Sequence, residues 1–568
     1  MSLYEQFVQS LTKLVFIQKI ELNITNSQQF NGLQSSMVFK NMSQLLNILD
    51  LSLSIGYFNN FQFDESFILL FQNLSQLKFL QLKIKSQNSI KLNMQIFGQA
   101  ISNLINLEML NINLSYDIIF DSLDSIQLAQ SLKNFQKLKT LNLTVGDFNF
   151  QNASSDIIMS SIKYLTSLTK LNIDICSYNK FEEGFLRFAE CFENLSNLQK
   201  LQIKIGAFNQ LGNSITVFSR LLEKLKSLKC LVFSIDTQDI NDQEANSILR
   251  FDNFLEGLLD HPKLQKLIIT IESENDLGTK GLISLGKALA TLTKLEFLDI
   301  YVGQNNKIQP DDSKIFCGLL QSLTNLKNFR FNIEGPQLQQ GIKELGKSLY
   351  QFQFLQKLEL NISFANQINW VGAKALAYGL QNLQNLIQLD LVIQDLNLIG
   401  KLGMKFIGQA LQQLCLLKKF TFFIGENNLI CNESLQFFGD GLKYLKQLVI
   451  FHIAIKIKNP IIYSQNIGIE EQISCLQSLE QIFLDIPVHV ANLDLIHLSK
   501  GLKMLINLKY LNLSFLKSYL DDKFNQQCVG LANNLSNCKY LQVLDFKNLI
   551  SDKNTQQFKK KLPRLVKI

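Results

Sequence analysis

GLISLGKALATLTKLEFLDIYV, residues 281–302, carries two periodicities in succession. In its first part Gly281, Leu282, Leu285, Gly286, Leu289 and Leu292 fall on one stripe, the spacing of an amphipathic helix. LEFLDIYV (295–302) then alternates apolar and polar residues, as a short strand with one buried face does. One helix and one strand cannot bury both apolar faces by themselves. Stacked copies can, with the strands side by side in a parallel sheet and the helices behind them.

The copies are present. LKFLQLKI (77–84), LEMLNINL (107–114), LKTLNLTV (138–145), LTKLNIDI (168–175) and LQKLQIKI (198–205) share the form LxxLxLxI. LQKLELNI (355–362), LIQLDLVI (386–393) and LKYLNLSF (508–515) continue it. Taking the second apolar residue as marker gives positions 20, 49, 80, 110, 141, 171, 201, 231, 267, 298, 329, 358, 389, 420, 451, 482, 511 and 544. These eighteen markers lie mostly 29 to 31 residues apart. A glycine recurs inside the helical halves (Gly98, Gly286, Gly346, Gly408, Gly439) at a cost in helix stability. The expected reason is close packing of each helix on its neighbouring strand.

LxxLxLxI preceded by GxxxLGxxL resembles leucine-rich repeats of the ribonuclease-inhibitor-like type. The resemblance implies an α/β solenoid shaped as a horseshoe, with parallel strands on the concave face and helices on the convex face. It also implies a protein-binding role. The chain departs from that pattern in showing no regular Asn or Cys after the strand. One solenoid is expected over 1–568, with a capping helix at 1–16 and a basic cap at 551–568. Within the latter, LPRLVKI (562–568) reads as the opening of a nineteenth strand. The longest gap between markers, 231 to 267, contains the acidic stretch DTQDINDQE (236–244), expected as a solvated loop.

Composition narrows the function classes. Of 568 residues, 46% are apolar and 18% charged, and the net charge is only +7, so disorder is excluded. No apolar run approaches the ~18 residues of a membrane-spanning helix, and the start lacks the pattern of a secretion signal. No membrane partner and a cytoplasmic location are expected. The nine cysteines are odd in number and include no C-x-x-C pair, which speaks for reduced thiols rather than disulfides or zinc. Arginine occurs only at 187, 220, 250, 330 and 564. Outward strand positions hold ten basic residues against eight acidic ones. That balance is poor for wrapping nucleic acid.

Gly341-Ile-Lys-Glu-Leu-Gly346-Lys347-Ser348 matches the phosphate-cradling motif G-x-x-x-x-G-K-[ST]. Yet Gly341, Gly346 and Lys347 occupy the repeat positions of Gly281, Gly286 and Lys287, so the segment reads as a helix and not as a nucleotide loop. The histidines His261, His452, His489 and His497 show no metal-ligand spacing, and no G-x-S-x-G or kinase motif is present. Asp299, Glu359 and Asp390 read as outward-facing surface carboxylates of separate repeats. No catalytic residue, cofactor, metal or small-molecule substrate is expected.

In copies thirteen to sixteen, the outward positions include Val392, Phe423, Ile450, His452, Ala454 and Phe483. Contiguous exposed apolar residues mark contact sites, and aromatics among them act as anchors. The expected function is therefore a non-catalytic protein-interaction scaffold or adaptor, with Val392, Phe423, Ile450, His452 and Phe483 as its protein-binding residues. One alternative is a structural subunit of a large cytoskeletal or ciliary assembly. Another is the recognition arm of a ubiquitin-ligase or small-GTPase-regulating complex, against which stand the first marker at Ile20 and the scarcity of arginine.

Overall fold

The computed structural model describes the chain except residues 1–9, 11–15, 25–31, 57–62, 85–93, 115–121, 151–153, 180, 210, 212–213, 237–250, 252–253, 260, 457–468, 490–494, 517–521, 548–551 and 568. The expected cap at 1–16 lies outside the described residues save Ser10 and Phe16, as does the acidic stretch beyond Asp236. Eighteen parallel strands of one sheet alternate with helices, an α/β leucine-rich repeat solenoid of about eighteen repeats. The chain divides into two compact units: Met1–Ala288 with Asn305–Lys307, and Leu289–Gln304 with Ile308–Ile568.

The first unit holds β1 (Lys19–Ile24), β2 (Asp50–Ile55), β3 (Phe79–Ile84), β4 (Met109–Leu114), β5 (Thr140–Val145), β6 (Lys170–Ile175), β7 (Lys200–Ile205), β8 (Cys230–Ile235) and β9 (Lys266–Ile271). The second holds β10 (Phe297–Val302), β11 (Asn328–Ile333), β12 (Lys357–Ile362), β13 (Gln388–Ile393), β14 (Lys419–Ile424), β15 (Ile450–Ile455), β16 (Gln481–His489), β17 (Tyr510–Leu516) and β18 (Val543–Lys547). Ile20 pairs with Leu51 and Leu51 with Leu80, so the second marker is Leu51 and not residue 49. Register then passes unshifted from strand to strand in each unit until a bulge between β16 and β17 at Asp485 and His489.

Unshifted register is what the period-2 pattern demands, because a one-residue slip would turn every leucine into water. On β13, for example, Leu389, Leu391 and Ile393 are buried while Gln388, Asp390 and Val392 are half-exposed. Each buried leucine or isoleucine contributes about 1.5–3 kcal/mol of apolar burial. Phenylalanines thread the interior between sheet and helices. In the first unit Phe185, Phe218 and Phe233 follow one another at 5.0 and 5.5 Å between ring centroids. In the second, Phe438 lies 4.7 Å from Phe422 and 6.0 Å from Phe420.

Three of the recurring glycines, Gly98, Gly346 and Gly408, meet a neighbouring helix rather than a strand. A Cβ on Gly346, in the helix Ile342–Gln351, would overlap the carbonyl oxygen of Ala375 in the helix Asn369–Leu380. Gly379 meets the carbonyl of Gly346 in return. Gly408 and Gly441 repeat the arrangement between the helices Gly400–Leu411 and Asn432–Leu442. Strand spacing sets this requirement. Repeats whose strands stand about 4.8 Å apart must bring their helices closer than ordinary side chains allow.

The same helix contains the phosphate-loop look-alike. Its Lys347 ammonium pairs with Glu344 at 2.8 Å, and the buried Ser348 hydroxyl donates to the Cys317 carbonyl at 2.6 Å. At the far end, the Val566 N–H donates to the Gln542 carbonyl at 2.7 Å and the Leu544 N–H to the Lys567 carbonyl at 3.0 Å. These bonds are the opening of a nineteenth strand against β18.

A regular asparagine does follow the strand, contrary to the expectation from sequence. Asn149, Asn179, Asn209, Asn275, Asn306, Asn366, Asn397 and Asn428 are all buried, each eight residues beyond its marker. The chain turns sharply there. The residue before several of them has positive φ, 58° at Phe148, 60° at Tyr178 and 61° at Leu396, and this turn strips carbonyls of ladder partners. The asparagine amide replaces those partners. Asn209 Nδ2 donates to Gly206 in its own repeat and to Cys176 in the previous one, both at 2.7 Å. Asn366 Nδ2 donates to Ser363 and Gly335, both at 2.9 Å, while its Oδ1 accepts from the Leu338 N–H at 2.6 Å.

Gly346→Ala is expected to destabilise the protein by about 2–3 kcal/mol through overpacking against the next helix. A urea-denaturation midpoint within experimental error of the parent would refute this helix-to-helix contact.

Candidate protein-binding face

Alternation leaves one face of the sheet open, with three outward residues per strand in three parallel rows. In the first unit that face is mostly polar. Gln81 Nε2 donates to the Ser52 hydroxyl and Asn111 Nδ2 to Gln81 Oε1, each at 3.2 Å, and Asn172 donates to Asn142. Such a ladder links side chains of successive strands by hydrogen bonds.

The second unit opens differently. On β10–β12 the Arg330 guanidinium lies between two carboxylates, 3.5 Å from Asp299 and 2.9 Å from Glu359. Two of the carboxylates expected to be separate are thus joined by one arginine. Asp390 takes a hydrogen bond from Gln388 at 2.5 Å and pairs with Lys419 at 3.8 Å. These pairs are solvated, and each is worth less than about 1 kcal/mol.

From β13 to β16 an apolar and aromatic band crosses the open face among polar residues such as Asp390, Lys419 and Gln481. Val392, Phe423 and Ala454 stand side by side in one row. His452 and Phe483 neighbour each other in the next, their rings 5.4 Å apart. Ile450 lies in the third row. Of these side chains only Ala454, at 8% exposure, is buried; the others are half-exposed. Phe423 and Phe483 do not touch in register, being on β14 and β16 and in different rows, so the residues form a diagonal band.

Two members of the band escaped the reading of the sequence. Tyr510, on β17, places its ring 4.9 Å from that of Phe483. Lys456, just past β15, holds its ammonium 5.3 Å above the Phe423 ring. Tyr510 had a signal, as the outward residue preceding the marker at 511, but it lies one copy beyond the apolar run. Lys456 had none, because its place over the ring depends on how the chain leaves the strand. With Tyr510 the band crosses five strands, roughly 19 Å at the usual strand spacing.

Elsewhere the titratable groups are in structural settings. His261 is buried, its Nε2 3.1 Å from the Leu222 carbonyl, and burial holds its pKa below the ordinary value. Burial also pushes the Cys191 and Cys528 thiols up to about 12, and Cys176 and Cys538 up to about 11. A thiol so raised is protonated at neutral pH and is a weak nucleophile. Among the described residues no cluster of three His, Cys, Asp or Glu could hold a metal ion, and no helix is long and apolar enough to cross a membrane.

No family model matches the sequence, and no curated protein does. Among solved structures, a leucine-rich repeat protein of Leptospira interrogans aligns over 99% of this chain and 97% of its own. Its sequence identity is 16% and its TM-score 0.41.

Adjacent phenylalanines on β14 separate the two faces energetically. Phe422→Ala, on the buried side, is expected to cost about 3–5 kcal/mol. Phe423→Ala, on the open side, should cost less than about 1 kcal/mol. Equal losses in urea denaturation would contradict the assignment of faces.

Proposed function

We propose that this protein is a non-catalytic interaction scaffold that binds a protein partner through the open strand face of its second unit. Val392, Phe423, Ile450, His452 and Phe483 supply the contact, joined by Tyr510. The observation that carries the reading is the band itself. Core packing needs only the inward residues, and cross-strand pairs among the outward ones add only about 0.2–1 kcal/mol each, so the fold has little need of an aromatic and aliphatic run there. The polar ladder of the first unit supports this, because there the same outward positions carry amides and hydroxyls.

The contact is set up as interaction hot spots are. Aromatic side chains sit at its centre, with charged and amide groups such as Asp390, Lys419 and Gln481 at its edge. A tyrosine and two phenylalanines lose little rotamer freedom on binding, which favours affinity. A helix in almost every repeat supports the ribonuclease-inhibitor-like type. A cytoplasmic setting fits the nine cysteines, all free thiols in the folded chain.

The Phe423→Lys, Phe483→Lys double substitution tests the reading in a native pull-down with cross-linking mass spectrometry. Cross-links to a partner should cluster on β13–β17 in the parent and disappear in the variant. Each lost anchor is expected to weaken binding by about 2 kcal/mol or more. Cross-links spread over helices and loops, and indifferent to the substitutions, would sink the proposal and favour a building block of a large assembly.

A further inference from the structure

A second surface lies on the helical side of the same unit. The helices Ile342–Gln351, Asn369–Leu380 and Gly400–Leu411 pack side by side. Together they carry five lysines and one glutamate, in a chain whose overall ratio is 55 to 48. Apolar side chains protrude among these lysines. Trp370 and Val371, in the first turn of one helix, are 45% and 50% exposed, and Leu402 in the next is 46% exposed. Trp370 stacks on Phe406 at 6.4 Å, and the Lys374 ammonium lies 5.4 Å above the same ring. Lys401 and Lys405 both lie 5.6 Å over Phe437, in the helix Asn432–Leu442, whose Glu433 pairs with Lys401 and which also carries Asp440.

Leu429 completes the surface and is its most informative member. Its side chain is 66% exposed, and its backbone is left-handed with φ of 57°. An L-residue other than glycine or asparagine is disfavoured in that conformation, and a leucine in water gains no burial in return. The turn imposes this conformation, which recurs in the equivalent places at Asp276, Lys307, Gln367 and Leu398, and the polar residues among these show that it does not require a leucine. A leucine so exposed, in the same surface as the exposed Trp370 and Leu402, marks an external contact.

We propose that this face docks on an anionic lipid bilayer, with Trp370, Leu402 and Leu429 entering the headgroup boundary and Lys374, Lys401 and Lys405 facing the acidic headgroups. Trp is the side chain best suited to that boundary, with an apolar body and one N–H for the wet side. Lys374, Lys401 and Lys405 are all exposed, so acidic headgroups can reach their ammonium groups. Exposed aliphatic side chains contribute little to a nucleic-acid contact, which favours arginine, so the lipid surface accounts for more of the residues present. The sequence carries no hydropathy signal for such a contact, because its residues come from three separate repeats.

Trp370 is the only tryptophan in the chain, so emission reports this face alone. The full-length protein is titrated with vesicles of phosphatidylcholine, and with vesicles of phosphatidylcholine and phosphatidylserine at about three to one. A blue shift on the acidic vesicles only, reversed by salt, is expected. Lys374→Gln, Lys401→Gln and Lys405→Gln together should weaken vesicle co-sedimentation about a hundredfold, at a few-fold per lysine. Leu402→Ser with Leu429→Ser should reduce it while preserving the circular-dichroism melt. The Phe423→Lys, Phe483→Lys variant should bind vesicles like the parent, which separates this surface from the strand face. Unchanged emission on acidic vesicles would overturn the proposal, as would binding indifferent to the lysine substitutions. A shift produced by polyuridylate and not by vesicles would overturn it in favour of nucleic acid.

Discussion

The buried asparagine that follows the strand is the interaction on which the repeat depends. Where the backbone leaves the sheet, its carbonyls lose their ladder partners, and a buried carbonyl without a donor costs about 1–3 kcal/mol. The amide of Asn209 supplies donors to its own repeat and to the one before. Asn366 does the same in the second unit and also accepts from the Leu338 N–H of the preceding repeat. In the repeats that carry it, one side chain therefore ends a strand, shapes the turn that follows and ties successive repeats together. Strained φ values at Tyr178 and Leu396 are held in place by these bonds.

Constant register has a consequence on each side of the sheet. Inward residues are compelled to be leucine, isoleucine, valine or phenylalanine, and the helices behind must follow the strand spacing. That demand excludes side chains at Gly346, Gly379, Gly408 and Gly441. Outward residues are released from the fold altogether. The first unit spends that freedom on an amide ladder at Ser52, Gln81 and Asn111, and the second on Phe423, His452, Phe483 and Tyr510. A scaffold of this kind keeps stability and recognition on different residues of the same strand, so that one can vary without the other.

Much of the fold was legible because its signals are local. LxxLxLxI alternates within a strand, and the glycine-containing stripe repeats within a helix, so periodicity alone gave strands, helices and the open face. The outward set Val392, Phe423, Ile450, His452 and Phe483 followed from counting along each strand, and every one of them lies on that face. The asparagine was overlooked for a physical reason. It stands eight residues past the marker, beyond the alternation and inside a turn whose neighbours vary from Phe148 and Phe150 to Asn305 and Lys307, so no local pattern frames it. The glycines were recognised as close-packing positions but assigned the wrong neighbour. A stripe on one helix says that something approaches, and only the spacing of adjacent strands decides that it is the next helix.

The sequence by itself determined the repeat, its period, the parallel strands and the division of each strand into buried and open residues. All of these rest on interactions within about eight residues of chain or on a strict repetition of them. Tertiary structure decided what meets across repeats: Tyr510 against Phe483, Lys456 over Phe423, Arg330 between Asp299 and Glu359, and Trp370 on Phe406. Those partners are about thirty residues apart, and their pairing depends on register and on how side chains lean across a strand or helix boundary. Such contacts leave no periodic trace, because each one is made by a single pair while the period is an average over eighteen copies.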